Sequence, residues 1–293
     1  MGEGTLDVGC NALLIRVNRE HIGPLINGLH FFFGLGAFLA PLIVAQAILL
    51  EGGIRLAYWA LAALAIPPAV WLLRLPSPAI RTQEEVAGDR PAPALWVALV
   101  AVFFFLYVGA EASLAGWVFT YAVGQFGEGL TGGAFTTLNA NAALLTSGFW
   151  GAFTVGRLLG IPLAARFKAR DILRVDLLGT LVSLGVILLW PHSWLAVWAG
   201  TLGAGLFLAS IFPTTLAFAE RRMTITGGVM GWFLVGAGVG GMVLPWLIGQ
   251  LFEAMGPEIT IIAILVDVVL ASGIFAAMMW LSSRRTAPQD AGL

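Results

Sequence analysis

The sequence is poor in charged residues and contains almost no cysteine. Charged residues make up only 11% of its 293 residues, whereas a soluble domain of this size carries roughly 25%. Cys10 is the only cysteine, which excludes an internal disulfide and a cysteine-based metal site. The net charge is −1, so composition gives no support for a nucleic-acid partner. Residues with hydrophobic side chains make up 59%, so lipid must be the solvent for most of this surface.

The sequence also lacks the residue patterns of enzymes. It contains no Ser-His-Asp arrangement, no H-E-x-x-H motif and no cysteine pair, so we expect neither catalysis nor a bound metal or organic cofactor. The chain is therefore predicted not to be an enzyme.

Long apolar runs dominate what is present. Charged residues fall in short clusters between runs of about 20 apolar residues, the length that a membrane-spanning helix needs. The run at 2–16 is too short to cross a bilayer core of about 30 Å, so we interpret it as the end of a helix whose beginning is absent. An all-α membrane protein is predicted, with further spans at about 24–50, 54–75, 94–123, 138–165, 172–190, 194–219, 227–252 and 258–282. Pro67 and Pro68 predict a bend or break in the span that contains them.

One long polar segment, residues 76–93, divides the apolar runs into two groups. All four of its prolines lie within two residues of its ends, which is typical of a linker. We therefore predict a first helix group at 1–75, a second at 94–282, and a polar tail at 283–293.

The basic residues predict the orientation of the spans. If the turn at 17–23 is cytoplasmic, 13 of the 15 lysines and arginines fall in cytoplasmic segments, while Arg55 is outside and Arg157 is within a span. This arrangement predicts a multi-pass cell-membrane protein with a cytoplasmic C-terminus.

A spacing in the first group returns in the second. The pattern G-x-G-x4-P occurs at Gly34, Gly36 and Pro41 and again 204 residues later, ending at Pro245. The same offset aligns two turn glycines, and three spans of the second group have no counterpart in the first. We interpret the chain as part of a duplicated six-plus-six protein; chance is the alternative, because Gly and Pro are common in membrane helices.

Several motifs resemble one transporter group. The chain resembles the major facilitator superfamily, and within it the fucose permease and sodium-dependent glucose transporter group. The resemblance runs from the family's fourth helix onward and rests on the stretches Gly4–Asn11, Leu29–Phe31 with Ala40–Pro41, Leu106–Glu111 with Gly116–Trp117 and Tyr121, and Ile211–Thr214. It implies a major-facilitator fold with about nine of twelve helices, residues 1–75 being helices four to six. The loop at 160–170 departs from the superfamily's G-x-x-x-D-R pattern.

Ionisable residues inside spans are the first site candidates, because a charge in hydrocarbon costs several kcal/mol. Asp7 and Asn11 share one helix face, and Asp7 is a candidate for binding H⁺ or Na⁺. Glu111 lies at the middle of its span and is a candidate for both ion coupling and substrate binding. His30 is a candidate substrate ligand, and Asp267 a gate or packing residue. Each has the alternative of a structural hydrogen bond to a neighbouring helix.

Neutral and basic side chains complete the candidate site. Trp117 is a candidate for stacking on a sugar ring, and Tyr121 for sugar binding or an interfacial aromatic belt. Asn141 is a candidate ligand or a helix cap. Arg157 is expected to pair with an acid at the inner gate, with Asp176 and Glu220 as the candidates. Pro213, in the motif that resembles the tenth helix, is a candidate gate or packing residue.

The resemblance implies secondary active transport of a small polar solute, a hexose or deoxyhexose, coupled to H⁺ or Na⁺, by a monomer. Three alternatives stay open: a transporter of another small organic solute, an inactive remnant of a transporter, and an intramembrane enzyme. The last is disfavoured because no nucleophile–base or metal set is present.

Overall fold

The computed structural model of the protein describes residues 22–51, 53–75 and 93–284. In these ranges the chain forms helices and no strand. In chain order the helices are α1 Ile22–Glu51, α2 Arg55–Leu72, α3 Ala94–Phe126, α4 Gly132–Arg166, α5 Ala169–Leu189, α6 Trp194–Leu208, α7 Ile211–Glu220, α8 Gly227–Met255 and α9 Glu258–Arg284.

Eight helical segments of the described chain are long and apolar enough to cross a membrane. They coincide with the eight full spans expected from the apolar runs, with α6 and α7 together forming one of them. The all-α membrane fold is thereby confirmed. The short run at 2–16 lies outside the described residues.

Prolines act differently in different helices. Helix α2 continues through Pro67 and Pro68, so the break predicted at this pair does not form. A proline ring fixes φ near the helical value, and each proline removes only one backbone hydrogen bond. A short interruption lies elsewhere, between Leu208 at the end of α6 and Ile211 at the start of α7, where residues 209–210 leave the regular helix but keep right-handed helical dihedral angles.

Helix α3 is the centre of residues 94–284 and packs most extensively on α8. The two backbones approach closely at Gly240, where a Cβ atom would collide with the Phe105 carbonyl. Gly109 on the opposite helix faces the carbonyl of Gly240, which would lie 3.2 Å from a Cβ. Small residues permit this contact, because packing rather than hydrophobic burial holds helices together in lipid.

Helix α1 packs along α4 with a second set of small residues. A Cβ on Gly34 would lie 2.6 Å from the Thr154 hydroxyl, and the Ser147 hydroxyl donates to the Phe38 carbonyl at 2.6 Å. Further along the same pair, Ala45 is fully buried. The first predicted helix group therefore contacts the second through α1 and α4.

The repeated G-x-G spacing uses opposite glycines in the two helices. In α1 Gly34 is packed, while a Cβ on Gly36 would meet nothing within 4 Å. In α8 the aligned Gly238 is open and Gly240 is packed. The two helices therefore share the G-x-G spacing, but each uses a different one of its two glycines to contact its described neighbour.

The two ends of the bundle are joined differently. At the end where α3 finishes and α6 begins, the ring of Phe126 on α3 stacks on Trp194 of α6 with centroids 4.4 Å apart. At the opposite end, where α3 begins and α9 finishes, the Arg222 guanidinium donates to the Ser282 hydroxyl at 2.7 and 3.1 Å. The same guanidinium lies 3.7 Å from the ring centre of Phe218. Arg222 thus joins the chain that follows α7 to the end of α9.

Candidate functional site

The interruption between α6 and α7 is the centre of a buried polar cluster. Residues 209–210 separate the two helices, and Pro213 follows in the first turn of α7. Because proline has no N–H, it cannot donate to the carbonyl of Ala209, and its ring disfavours continuous helix there. Broken helices are tolerated at membrane depth only where protein or a cavity satisfies their backbone groups.

Helix α3 supplies the first side chain that hydrogen-bonds to the backbone at the break. The hydroxyl of Tyr107 is buried and donates to the Leu208 carbonyl, the last of α6, at 3.1 Å. Glu111 lies one turn further along α3, on the same face, and its carboxyl is adjacent to the Tyr107 hydroxyl. A partly buried carboxyl is thereby held beside the helix break.

Helix α4 brings a positive charge to the same region. Gly156 and Gly160 allow α4 to approach the break, since a Cβ on Gly160 would lie 3.3 Å from that of Ser210. Arg157, between them, is in electrostatic range of Glu111 and lies 4.8 Å from the ring centre of Phe153. Its buried Nε atom makes no hydrogen bond within the described chain.

Helix α5 adds a second acid. Asp176 is buried, and one of its carboxylate oxygens accepts a hydrogen bond from the Ser210 hydroxyl at 2.5 Å. No acid lies within the 4.0 Å of an ion pair with Arg157 in the described residues, so the expected pairing with Asp176 or Glu220 is absent there. The break is therefore surrounded by two acids and an arginine held apart from one another.

The aromatic candidates of α3 are engaged in helix packing. The indole N–H of Trp117 donates to the Pro245 carbonyl at 3.1 Å, and its ring packs against Phe252 at 5.3 Å. Trp117 is only partly buried, so one part of the ring stays accessible. Tyr121 is fully buried inside the bundle, so it does not face lipid as a residue of an aromatic belt would.

The remaining candidates lie apart from the cluster. Asn141 is exposed and sits in the third turn of α4, which begins at Gly132, so it is not a helix cap. Asp267 is buried in α9 and its Oδ2 atom has no hydrogen-bond partner in the described chain. Asp7, Asn11 and the side chain of His30 lie outside the described residues.

Sequence reasoning missed two members of the cluster, Tyr107 and Ser210, and considered Asp176 only as an ion-pair partner of Arg157. Tyr107 carried a usable signal, since it precedes Glu111 by one helical turn and must share its face. Asp176 is an acid about one turn inside a predicted span, a position that already suggests function. Ser210 offered no signal, because its role depends on a break that the apolar run conceals.

The chain is similar along most of its length to named transporters. No protein-family model matches it. It is 29% identical to the sodium-dependent glucose transporter 1 of Xenopus laevis, over 99% of this chain and 63% of that protein. It is 27% identical to the sodium-dependent glucose transporter 1A of Mus musculus, over 94% of this chain and 71% of that protein. It is 26% identical to the major facilitator superfamily domain-containing protein 4A of Pongo abelii, over 86% of this chain and 67% of that protein.

The chain thus spans less than two thirds of the length of the Xenopus laevis relative. These relatives, together with eight helices of membrane-spanning length, confirm the resemblance to the major facilitator superfamily and, within it, to the sodium-dependent glucose transporter group.

Proposed function

We propose that the protein performs secondary active transport of a small polar solute by alternating access. The solute is a hexose or deoxyhexose and the coupling ion is H⁺ or Na⁺; the names of two relatives, which mention sodium and glucose, support a hexose and Na⁺. In this proposal the protein works as a monomer in the cell membrane, with a cytoplasmic C-terminus and no enzymatic activity or cofactor.

The observation that carries the proposal is Glu111 beside a broken helix. Interruptions of membrane helices are where transporters place their substrate and coupling ions. Here residues 209–210 keep helical dihedral angles, so the polar groups at the interruption come mainly from the side chains of Tyr107, Ser210 and Asp176. Glu111 is one of the few ionisable groups in the spans, and no described cation lies within 4.0 Å of it. A carboxyl in this position is able to take up and release a coupling ion, while Arg157 is near enough to replace that ion's charge electrostatically.

The substrate would contact the same region. The guanidinium of Arg157, whose Nε–H makes no hydrogen bond in the described chain, would bind solute hydroxyls, and the partly exposed Trp117 would offer an apolar ring face. Asp7, Asn11, His30 and Asn141 remain proposed contributors to ion or solute binding.

The test is sugar uptake by the chain in proteoliposomes. A tenfold Na⁺ or H⁺ gradient supports about tenfold accumulation of glucose or fucose for one-to-one coupling. Glu111→Gln should abolish accumulation while leaving equilibrating exchange of labelled sugar. Glu253→Gln, which changes an exposed acid of α8, is the matched control and should accumulate like wild type.

Three results would contradict parts of the proposal. Accumulation by Glu111→Gln equal to wild type would remove Glu111 from ion coupling. Exchange of other organic solutes but not of sugars would support the alternative of a different substrate. No exchange of any solute by the wild-type chain would support the alternative of a non-transporting remnant.

A further inference from the structure

The two ends of the second helix group carry opposite charge. Among the described side chains from 94 to 283, six basic and two acidic ones lie at the end where α3 begins and α9 finishes: Arg166, Lys168, Arg170, Asp171, Arg174, Glu220, Arg221 and Arg222. We call this the basic end. At the opposite end the charged side chains in this range are the acids Glu128, Glu253 and Glu258. The basic end therefore attracts anions.

Three arginines from two elements approach one another at the basic end. Arg170 lies in the first turn of α5, Arg221 and Arg222 follow α7, and α5 packs on α7. Burial lowers the pKa of the Arg222 guanidinium, and the positive charges of Arg221 and Arg170 lower it further, so all three are in electrostatic range. Like charges held this close repel one another, and an anion bound between them would offset the repulsion.

The acids of the basic end neutralise only part of this charge. The Asp171 carboxylate lies 3.0 Å from Nη1 of Arg174 and 3.6 Å from Nε of Arg170, so one acid serves two guanidiniums. In the described chain no acid lies within 4.0 Å of Arg221 or Arg222, and Arg222 donates to uncharged oxygens instead. An external anion can therefore bind here without displacing a complete set of internal ion pairs.

Helix α5 places two of the arginines above an apolar, exposed face. Arg170 and Arg174 are one turn apart, and the face of Arg174 continues with Leu178 and Val182, which are 62% and 66% exposed. Because α5 is long and apolar enough to cross a membrane, lipid chains cover this face. Helical side chains lean toward the N-terminus of their helix, which for α5 is the basic end. The Arg174 guanidinium therefore reaches back toward the membrane surface, as its contact with Asp171 shows.

The connection before α5 exposes an aromatic ring at the same surface. Phe167 is 58% exposed and lies between Arg166 and Lys168, in the two-residue connection from α4 to α5. Apolar side chains flanked by basic residues are typical of segments that contact the surface of an anionic bilayer. The basic end thus combines positive charge with apolar groups at the depth of lipid headgroups.

We propose that Arg170, Arg174 and Arg221 bind the phosphate of an anionic phospholipid in the adjacent leaflet, while one of its acyl chains lies along Leu178 and Val182. Guanidinium groups suit this role because their planar N–H donors match the geometry of phosphate oxygens. The apolar face that continues from the arginines favours a lipid over a soluble phosphate. The excess of positive charge favours an anionic headgroup over a zwitterionic one. This site goes beyond the proposed transport and does not depend on which solute is carried.

The test is native mass spectrometry of the full chain, titrated with phosphatidylglycerol or with phosphatidylcholine of the same acyl chains. We expect the first phosphatidylglycerol to bind more than about tenfold more tightly than phosphatidylcholine. Arg170→Gln and Arg174→Gln should each weaken its binding about fivefold, the contribution of one basic residue near an anionic bilayer. Arg55→Gln is the matched control, because it removes an exposed arginine at the start of α2 and should leave binding unchanged.

The variant Asp171→Asn should have the opposite effect. It removes the carboxylate that competes for Arg170 and Arg174, so phosphatidylglycerol should bind about fivefold more tightly. A variant that merely folds badly would not show this gain.

Three results would overturn the proposal. Equal binding of the two lipids would show that the headgroup charge is not recognised. Equal losses in Arg55→Gln and Arg174→Gln would show that the arginines form no defined site. Displacement of phosphatidylglycerol by an excess of inorganic phosphate would indicate a soluble phosphate ligand instead of a lipid.

Discussion

The hydrogen bond between Ser210 and Asp176 offers the sharpest test of the helix break. Ser210→Ala removes the one hydroxyl that donates to a buried carboxyl at 2.5 Å. Hydrogen bonds to charged groups contribute about 1.5–3 kcal/mol, whereas neutral ones contribute about 0.5–1.5 kcal/mol. We therefore expect Ser210→Ala to cost about 2 kcal/mol of unfolding free energy, because the carboxyl is left without its donor.

Ser183→Ala is the matched control for this change. Ser183 lies on α5 with Asp176, is 7% exposed against 6% for Ser210, and bonds only to the Gly179 carbonyl of its own helix. Its loss should cost about 1 kcal/mol or less.

The measurement is thermal unfolding in detergent, followed by the loss of monodisperse protein on size-exclusion chromatography. For a chain of this size, about 2 kcal/mol corresponds to a fall in Tm of about 4–8 °C. In an Asp176→Asn background the cost of Ser210→Ala should fall by about half, since neutral hydrogen bonds are about half as strong. Equal shifts for Ser210→Ala and Ser183→Ala, or an unchanged cost beside Asp176→Asn, would refute the reasoning.

Two further predictions concern the helix contacts. Gly240→Ala should destabilise the protein by about 1–3 kcal/mol, because its Cβ would collide with the Phe105 carbonyl, whereas Gly238→Ala should be neutral or slightly stabilising. The thermal assay checks both, and equal effects would contradict the packing described for the repeated spacing. Ser147→Ala should cost about 1 kcal/mol by removing the bond to the Phe38 carbonyl, and an unchanged Tm would show that this bond adds nothing.

The spans were predictable because the bilayer imposes a length and a composition on each helix. Apolar runs of the required length allow few alternatives, and the segments at 94–123, 227–252 and 258–282 agree closely with α3, α8 and α9. Helix starts were less certain. Helix α4 begins at Gly132 rather than near 138, because the polar residues before Asn139 do not prevent helix formation at a membrane surface.

The prolines show why local rules alone were insufficient. Pro67 and Pro68 looked like a break and are accommodated in a continuous helix, whereas Pro213 follows a real break. Tyr107 and Ser210 provide donors that satisfy groups around the interruption after Leu208, and among the described residues no side-chain donor bonds to the helix around the prolines of α2. That difference depends on tertiary neighbours, which a single sequence does not reveal.

The candidate site was predictable only in part. Glu111 and Arg157 stood out as rare charges in apolar runs, and the structure brings them into electrostatic range. The donor role of Trp117 toward Pro245 could not be predicted, since it depends on how closely α3 approaches α8. The functional roles of these residues stay predictions.

The helix after the break is short, so a small tilt at its first residue moves its last residue by several ångströms. Helix α7 has ten residues and is therefore about 15 Å long, with its pivot at Ser210. A tilt of about 10° at the pivot displaces the far end by about 3 Å, more than the tolerance of a hydrogen bond. That displacement would separate Arg222 from Ser282 and loosen the end of α9. A change of charge at Asp176 would in this way be converted into movement at the far end of α7, about 15 Å away, without any rearrangement of the long helices.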